Sequence, residues 1–236
     1  MKLYLLGFTL LIGALNAESP PLFVSLGSHC EVAVKLRENG LRLKAYPFDW
    51  ITTFDAKGFI QLLDEDFQHF VSEEQIIQHP YRPDYLENTC YQVEFRHEWP
   101  FLDHESSILR FVQQLSYIQN KYERRIDRFR QLASYPGKVF FIRTAFDFEN
   151  DPHSYWAQER HARITKEEAE ALKEALQRYF PSLDFTLVII NYTEEYARDI
   201  TGVDRVIECK IRKSDKHGDY RRLFEALNLF AQPMDN

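Results

Sequence analysis

Cys30 is the residue most suited to catalysis. In "FVSLGSHCEVAVKLRENG" it lies at the turn between an apolar segment, which predicts a strand, and an amphipathic segment, which predicts a helix. A cysteine at the first turn of a helix can have its pKa lowered from ~8.5 to between ~3.5 and 7.5. The pattern predicts a thiolate nucleophile near neutral pH. The alternative is a cysteine that only fills space, since free cysteines are among the most buried residue types.

A cysteine nucleophile needs a base or an ion-pair partner, and histidine is the usual one. His97 lies in "VEFRHEW", at the end of a predicted strand, where its side chain can face the same edge as Cys30. His29 adjoins Cys30, but on a tight turn we expect its ring to point elsewhere. The remaining candidates are His104, His153, His161 and His217.

Two further polar residues could contribute to such a centre. Asp49, in "PFDW", is surrounded by apolar residues and could orient the histidine as the third member of a triad, or it could only cap a loop. Arg143 follows "VFFI" and could bind a carboxylate or phosphate by a forked pair of hydrogen bonds. Main-chain N–H groups of residues 28–31 could form an oxyanion hole.

The elements that must position these residues alternate in the manner of an α/β domain. Apolar runs in "LFVSLG", "GKVFFIRTAFD", "DFTLVIINYT" and "DRVIECKI" predict buried strands, and helical spacing marks 106–132 and the closing "DYRRLFEALNLF". Thr165 and Glu168 form the signature of a capping box. We predict a mainly parallel open sheet flanked by helices, with the reactive groups at the carboxyl ends of its strands.

The N-terminal segment and the absence of linkers define the predicted organisation. Residues 1–17 combine Lys2, an apolar run and a small residue at position 17, which predicts a secretory signal peptide. Its apolar run is shorter than the ~20 residues that span a bilayer, so no stable membrane span is expected after cleavage. Residues 18–236 contain no repeat or flexible linker and are predicted to form a single α/β hydrolase-like domain, secreted or periplasmic.

Charge and cysteine count exclude several classes of function. The formal net charge of -7 argues against a nucleic-acid-binding protein. The three cysteines are an odd number, so a disulfide between Cys90 and Cys209 would leave Cys30 as the free thiol. Their spacing does not match a zinc site, and no metal or cofactor is predicted.

Several stretches resemble a bacterial family of unknown function that is grouped with the papain-like cysteine peptidases. They are "SLGSHCEVAVKLRENGLRLKAYPFDW", "FRHEW", "RRIDRF" and "VFFIR". The resemblance implies a Cys–His centre that acts on a peptide or other acyl bond, with Cys30 as nucleophile, His97 as base and Asp49 as third residue. It also implies a papain-like α+β fold as the alternative to the parallel sheet.

Two other functions remain open from the sequence. The strand, Gly-Ser-x-Cys and helix order is similar to that of SGNH-like acyl hydrolases, in which a C-terminal histidine, here His217 beside Asp215, would be the base. A catalytically inactive secreted binding module would instead use an aromatic cleft. The aromatic residues that could line it are Tyr46, Phe48, Trp50, Trp99 and Trp156.

Overall fold

A computed structural model describes residues 19–53, 56–78, 85–96, 108–145, 163–193 and 202–230. The predicted signal peptide and His97 lie outside these ranges. The elements, in chain order, are β1 Leu22–Ser25, α1 Glu31–Glu38, β2 Ile51–Thr53, α2 Ala56–Asp64, β3 Ile76–Gln78, β4 Leu86–Asn88, β5 Val93–Phe95, α3 Ile108–Arg130, β6 Val139–Thr144, α4 Lys166–Tyr179, β7 Phe185–Thr193, β8 Val206–Arg212 and α5 Lys216–Phe230. Among the described residues, no helix is both long and apolar enough to cross a membrane.

The larger sheet is parallel throughout and has the strand order β1-β6-β7-β8. Every residue of β6 is buried, as a strand covered on both faces should be. On one face Phe23 stacks on Phe140 and meets Phe224 of α5, and on the other Phe141 stacks on Phe180 at the end of α4. The mainly parallel α/β class predicted from the sequence is therefore confirmed.

A second sheet, which the sequence analysis did not predict as a separate layer, is antiparallel and has the order β2-β5-β4-β3. Its strands have three residues each, too short for an alternating pattern to identify them. The strand predicted in "YQVEFRHEW" is present in this sheet, where β5 covers Val93–Phe95.

The capping box at the start of α4 is confirmed by two reciprocal bonds. The Glu168 N–H donates to Thr165 Oγ1 at 3.2 Å, and the Thr165 N–H donates to Glu168 Oε2 at 2.8 Å. Each bond satisfies a donor that the helix itself leaves unpaired. The long helix predicted over 106–132 is also confirmed, as α3 and a 3-10 turn that follows it at Gln131–Ser134.

An aromatic cluster fills the space between the antiparallel sheet and the helices. Phe48 lies 4.7 Å from Phe59 and 5.4 Å from Phe129, measured between ring centroids. Tyr46 and Phe48 are buried in this core and therefore do not line a binding cleft. Trp50 is only half-buried and remains at the surface, whereas Trp99 and Trp156 lie outside the described residues.

Candidate functional site

Cys30 lies after β1 and immediately before α1, at the end of a turn that is bonded to both sheets. The chain that leads to it is fixed from both sides, because the Leu26 N–H donates to the Ile142 carbonyl and the Thr53 N–H donates to the Ser28 carbonyl, each at 2.8 Å. Gly27 has a φ of +80°, and a Cβ there would come within 3.3 Å of Thr53 Oγ1. The turn therefore requires glycine at this position.

The electrostatic surroundings of Cys30 differ from those that the sequence predicted. The thiol is half-buried, and burial raises its pKa above the ordinary value. Its own backbone N–H and the positive charge of Arg96 act in the opposite direction, whereas the negative charge of Glu31 raises the pKa further. The lowered pKa expected from the helix start alone is wrong, because desolvation of the thiolate outweighs these favourable interactions.

Arg143 does not extend into solvent to bind an anion. Its Nη1 donates to the Leu26 carbonyl at 2.9 Å and to Thr53 Oγ1 at 2.8 Å, and its Nη2 donates to the Thr53 carbonyl at 3.2 Å. The side chain is 2% exposed and lies over the Phe59 ring. The predicted ligand role is corrected to a structural one, in which Arg143 connects the ends of β1 and β2.

Glu31 forms a partly buried polar cluster that the sequence analysis missed. The Tyr192 hydroxyl donates to Glu31 Oε1 at 2.7 Å, Lys216 Nζ donates to Oε2 at 3.2 Å, and His29 Nε2 lies 3.5 Å from Oε2. Burial opposes ionisation, but the hydrogen bonds from His29 and Tyr192 and the charges of His29 and Lys216 outweigh it and hold the pKa of Glu31 at about 2. The carboxylate is thus charged across the physiological range.

His29 connects this cluster to the end of β6. Its Nδ1 lies 3.4 Å from Thr144 Oγ1, which is 3.3 Å from Ser28 Oγ, and its Nε2 is directed at Glu31. The ring therefore faces the parallel sheet, in agreement with the expectation that it points elsewhere on the turn. This arrangement suits a residue that positions the turn.

Asp49 is buried and is bound by an arginine that the sequence analysis did not select. Arg42 donates to its Oδ2 from Nε at 2.9 Å and from Nη2 at 2.7 Å, and the Tyr46 N–H donates to the same oxygen at 3.1 Å. Burial nevertheless raises the pKa of Asp49, against the charge and hydrogen bonds of Arg42. All three bonds end on one oxygen, so Oδ1 is the atom with which Asp49 could orient a histidine.

Arg96 brings the end of β5 towards Cys30. Its guanidinium is held by Glu94 Oε2, 2.7 Å from Nε and 2.6 Å from Nη2, and lies over the Tyr85 ring. Its charge is close enough to lower the pKa of Cys30. His97, the predicted base, is the next residue in the chain and lies outside the described ranges.

His217, the base of the alternative acyl hydrolase, lies at the other end of α1. Its Nδ1 is 3.6 Å from Glu38 Oε2, and its side chain is 66% exposed. Glu38 is the last residue of α1, about 12 Å along the helix from Cys30 at a rise of ~1.5 Å per residue. This geometry disfavours His217 as the partner of Cys30.

All three cysteines are free thiols. Cys90 lies after β4 of the antiparallel sheet, whereas Cys209 belongs to β8 of the parallel sheet, where burial raises its pKa to about 11. The conditional pairing of these two residues is therefore not formed. Within the described ranges, no group of three or more His, Cys, Asp or Glu side chains could hold a metal ion.

Comparison with known proteins identifies a family whose sequence model matches this chain. The sequence model of the family described as "Putative papain-like cysteine peptidase (DUF1796)" matches residues 21–195. An uncharacterised protein of Acanthamoeba polyphaga mimivirus is 33% identical over 145 residues, which are 53% of this chain and 62% of the viral protein, less than two thirds of its length. No solved structure matches the chain. Because the family model covers well over half of the sequence, the chain belongs to this family of papain-like cysteine peptidase relatives.

Proposed function

We propose that the protein is a cysteine hydrolase that cleaves peptide or other acyl bonds, with Cys30 as nucleophile, His97 as base and Asp49 as the residue that orients the base. The observation that carries the proposal is the position of Cys30, at the start of α1 and within reach of the charge on Arg96. His97 directly follows Arg96 in the sequence, one residue from the charge that acts on Cys30. Membership of the family supports the same chemistry.

The raised pKa of Cys30 specifies how such a centre would work. The resting thiol is neutral, so His97 takes the S–H proton as the sulfur attacks the substrate carbonyl carbon. The carbonyl oxygen becomes an oxyanion, which main-chain N–H groups of residues 28–31 could stabilise. The tetrahedral species then collapses, the C–N bond breaks, and His97 returns its proton to the leaving amine.

The acyl-thioester left on Cys30 is removed by water. His97 takes a proton from the water as its oxygen attacks the thioester carbonyl. The C–S bond then breaks, His97 returns the proton to the Cys30 sulfur, and the acid is released. No metal or cofactor enters these steps. Asp49 would accept a hydrogen bond from His97 at Oδ1, because its Oδ2 is occupied by Arg42 and the Tyr46 N–H.

Turnover of an internally quenched peptide library tests the proposal. Hydrolysis is expected in the wild type, abolished in Cys30→Ser and strongly reduced in His97→Ala. His217→Ala is the matched control, since that histidine contacts Glu38 at the far end of α1. Hydrolysis that survives Cys30→Ser, or that depends on His217 and not on His97, would contradict the assignment.

An inactive binding module is the second candidate, and the raised pKa of Cys30 is the observation that favours it. A thiol that burial keeps protonated, with no base to activate it, would only contribute to packing. This function predicts that an electrophilic peptide ketone modifies Cys30 no faster in the folded wild type than in His97→Ala. Faster labelling in the wild type excludes it.

We propose further that the protein acts outside the cytoplasm, as a secreted or periplasmic protein, after removal of residues 1–17. The support is the charge and apolar pattern of that segment in the sequence. N-terminal sequencing of the protein from its native host should begin at residue 18. An N-terminus that retains the apolar run would contradict export by cleavage.

A further inference from the structure

A surface of arginine and tryptophan side chains lies beside Cys30, and two of its residues, Arg37 and Trp50, take no part in the chemistry proposed above. We call it the Arg–Trp surface; its residues are Arg37, Arg42, Trp50 and Arg96. The guanidinium carbons of Arg37 and Arg42 lie 5.7 and 5.3 Å from the centre of the Trp50 ring. Such arginine–aromatic contacts hold a cation in a fixed place at the surface.

Arg37 lies on the same face of α1 as Cys30. The two residues are seven positions apart, so at ~3.6 residues per turn they differ by only about 20° around the helix axis. The rise along the helix between them is about 10 Å. Arg37 is exposed, so its charge is accessible to a molecule that approaches the thiol along this face.

The antiparallel sheet joins the Arg–Trp surface to the thiol by a second route. Ile51 pairs with Phe95, and the next residues outward on these two strands are Trp50 and Arg96. Arg96 acts electrostatically on Cys30, and Trp50 contacts Arg37. The surface thus runs from Cys30 past Arg96 and Trp50 to Arg37.

The arginines of this surface differ in whether a carboxylate neutralises their charge. Arg42 is neutralised by Asp49 and Arg96 by Glu94, at 2.7 and 2.6 Å. Arg37 presents its charge to solvent in a protein whose formal net charge is -7. The acid nearest to the thiol in sequence, Glu31, is engaged by Lys216 and Tyr192.

We propose that the substrate is a peptide with an acidic side chain, which Arg37 and Trp50 bind while the scissile bond lies at Cys30. An extended peptide advances about 3.3 Å per residue. The helix rise of about 10 Å between Cys30 and Arg37 therefore corresponds to an acidic residue about three positions from the scissile bond. This inference rests on the proposed function, because it assigns the substrate class of the same site.

Alkylation by two chloroacetyl peptides tests the inference without requiring turnover. The peptides are identical except for Glu or Gln at the third position from the electrophile. The Cys30 sulfur displaces chloride from each peptide, and mass spectrometry of the Cys30 fragment gives the rate. At low salt and mildly alkaline pH, the wild type should react several-fold faster with the Glu peptide, and high salt should reduce the preference.

Two charge-reversal variants on α1 test whether the preference for the Glu peptide depends on Arg37. Arg37→Glu should abolish or invert the preference for the Glu peptide. Lys35→Glu makes the same change of charge about 140° around the helix from Cys30, at a residue paired with Glu38, and should preserve the preference. Equal rates for both peptides in the wild type, or the same loss in both variants, would overturn the proposal.

Comparing hydrolysis with the Glu preference in labelling separates this inference from the proposed function. Failure of hydrolysis with a retained Glu preference would overturn the hydrolase proposal and leave the surface assigned. Hydrolysis with no Glu preference would overturn the surface alone. A single-stranded oligonucleotide that slows labelling as strongly as an acidic competitor peptide would show general polyanion binding and would also overturn it.

Discussion

The two sides of Cys30 differ in how their charged groups are used. On the side of the parallel sheet, Glu31 receives bonds from Tyr192 and Lys216. On the side of the antiparallel sheet, Arg96 is held by Glu94 and its charge acts on the thiol. The parallel-sheet side anchors the turn and raises the pKa of the thiol through Glu31, whereas the antiparallel side carries the charge that lowers it.

Two carboxylates near the turn, Glu31 and the more deeply buried Asp49, illustrate this difference. Glu31 is bound at both oxygens and has a pKa of about 2, because its partners outweigh burial. Within the described part of the chain, Asp49 is bound at Oδ2 alone, and its deeper burial leaves its pKa raised. A carboxylate that is already satisfied serves as an anchor, and one with a remaining acceptor can still serve as a partner.

The largest effect is expected from the residue that connects the two sides. Arg143→Met leaves the Leu26 carbonyl and both oxygens of Thr53 without their donor, and should lower the free energy of unfolding by about 3 kcal/mol or more in urea titrations. Arg130→Met, which breaks an exposed pair with Asp66, should cost about 1 kcal/mol or less. Equal losses in the two variants would refute the connecting role.

Glu31→Gln tests whether Glu31 anchors the turn, through the pH dependence of the free energy of unfolding. The pKa of Glu31 is lowered from 4.5 to about 2, so the ionised carboxylate stabilises the fold above pH 4.5 and loses this effect as the pH falls towards 2. The variant should lose about 3 kcal/mol of unfolding free energy near pH 6, by the rule of ~1.4 kcal/mol per unit. The difference between variant and wild type should vanish near pH 2; a constant difference would contradict the assignment.

Opposite charge removals should shift the ionisation of Cys30 in opposite directions. Arg96→Gln removes a charge that lowers the pKa of the thiol, and Glu31→Gln removes one that raises it. Iodoacetamide alkylation followed against pH should therefore give a higher midpoint in the first variant and a lower midpoint in the second. Shifts of the same sign would indicate that both substitutions only disturb packing.

The smallest effect is expected from a substitution far from Cys30. It shows whether a loss of stability alone changes the reactivity of the thiol. Thr165→Ala breaks the capping box of α4 and should cost about 1 kcal/mol of stability. The alkylation rate and midpoint of Cys30 should stay at their wild-type values, and Thr165→Ser should restore the stability. A changed Cys30 midpoint would mean that loss of stability alone alters the thiol.

The sequence predicted those parts of the fold that depend on local pattern. The six residues of β6 and the nine of β7 are long enough to identify, and Thr165 with Glu168 is a purely local signal. The three-residue strands around Ile51 gave no such pattern. Their sheet forms because pairing and the aromatic core stabilise segments that have no strong preference of their own.

The candidate site was predictable only in part. Cys30 was recognisable because strand, turn and helix are contiguous in sequence. Tyr192 and Lys216 were not, because they reach Glu31 from 161 and 185 residues away. The pKa of Cys30 was predicted in the wrong direction because the helix start is a local feature, whereas burial depends on the complete fold.

Labelling of Cys30 by a peptidyl fluoromethyl ketone tests the central claim most directly, because this reaction needs a thiol, a base and an oxyanion site together. The account predicts fast labelling at Cys30 in the wild type and in His217→Ala, and slow labelling in His97→Ala. Iodoacetamide alkylation of unfolded protein provides the reference rate. Labelling of the same rate in wild type and His97→Ala, or labelling lost in His217→Ala alone, would contradict a Cys30–His97 centre.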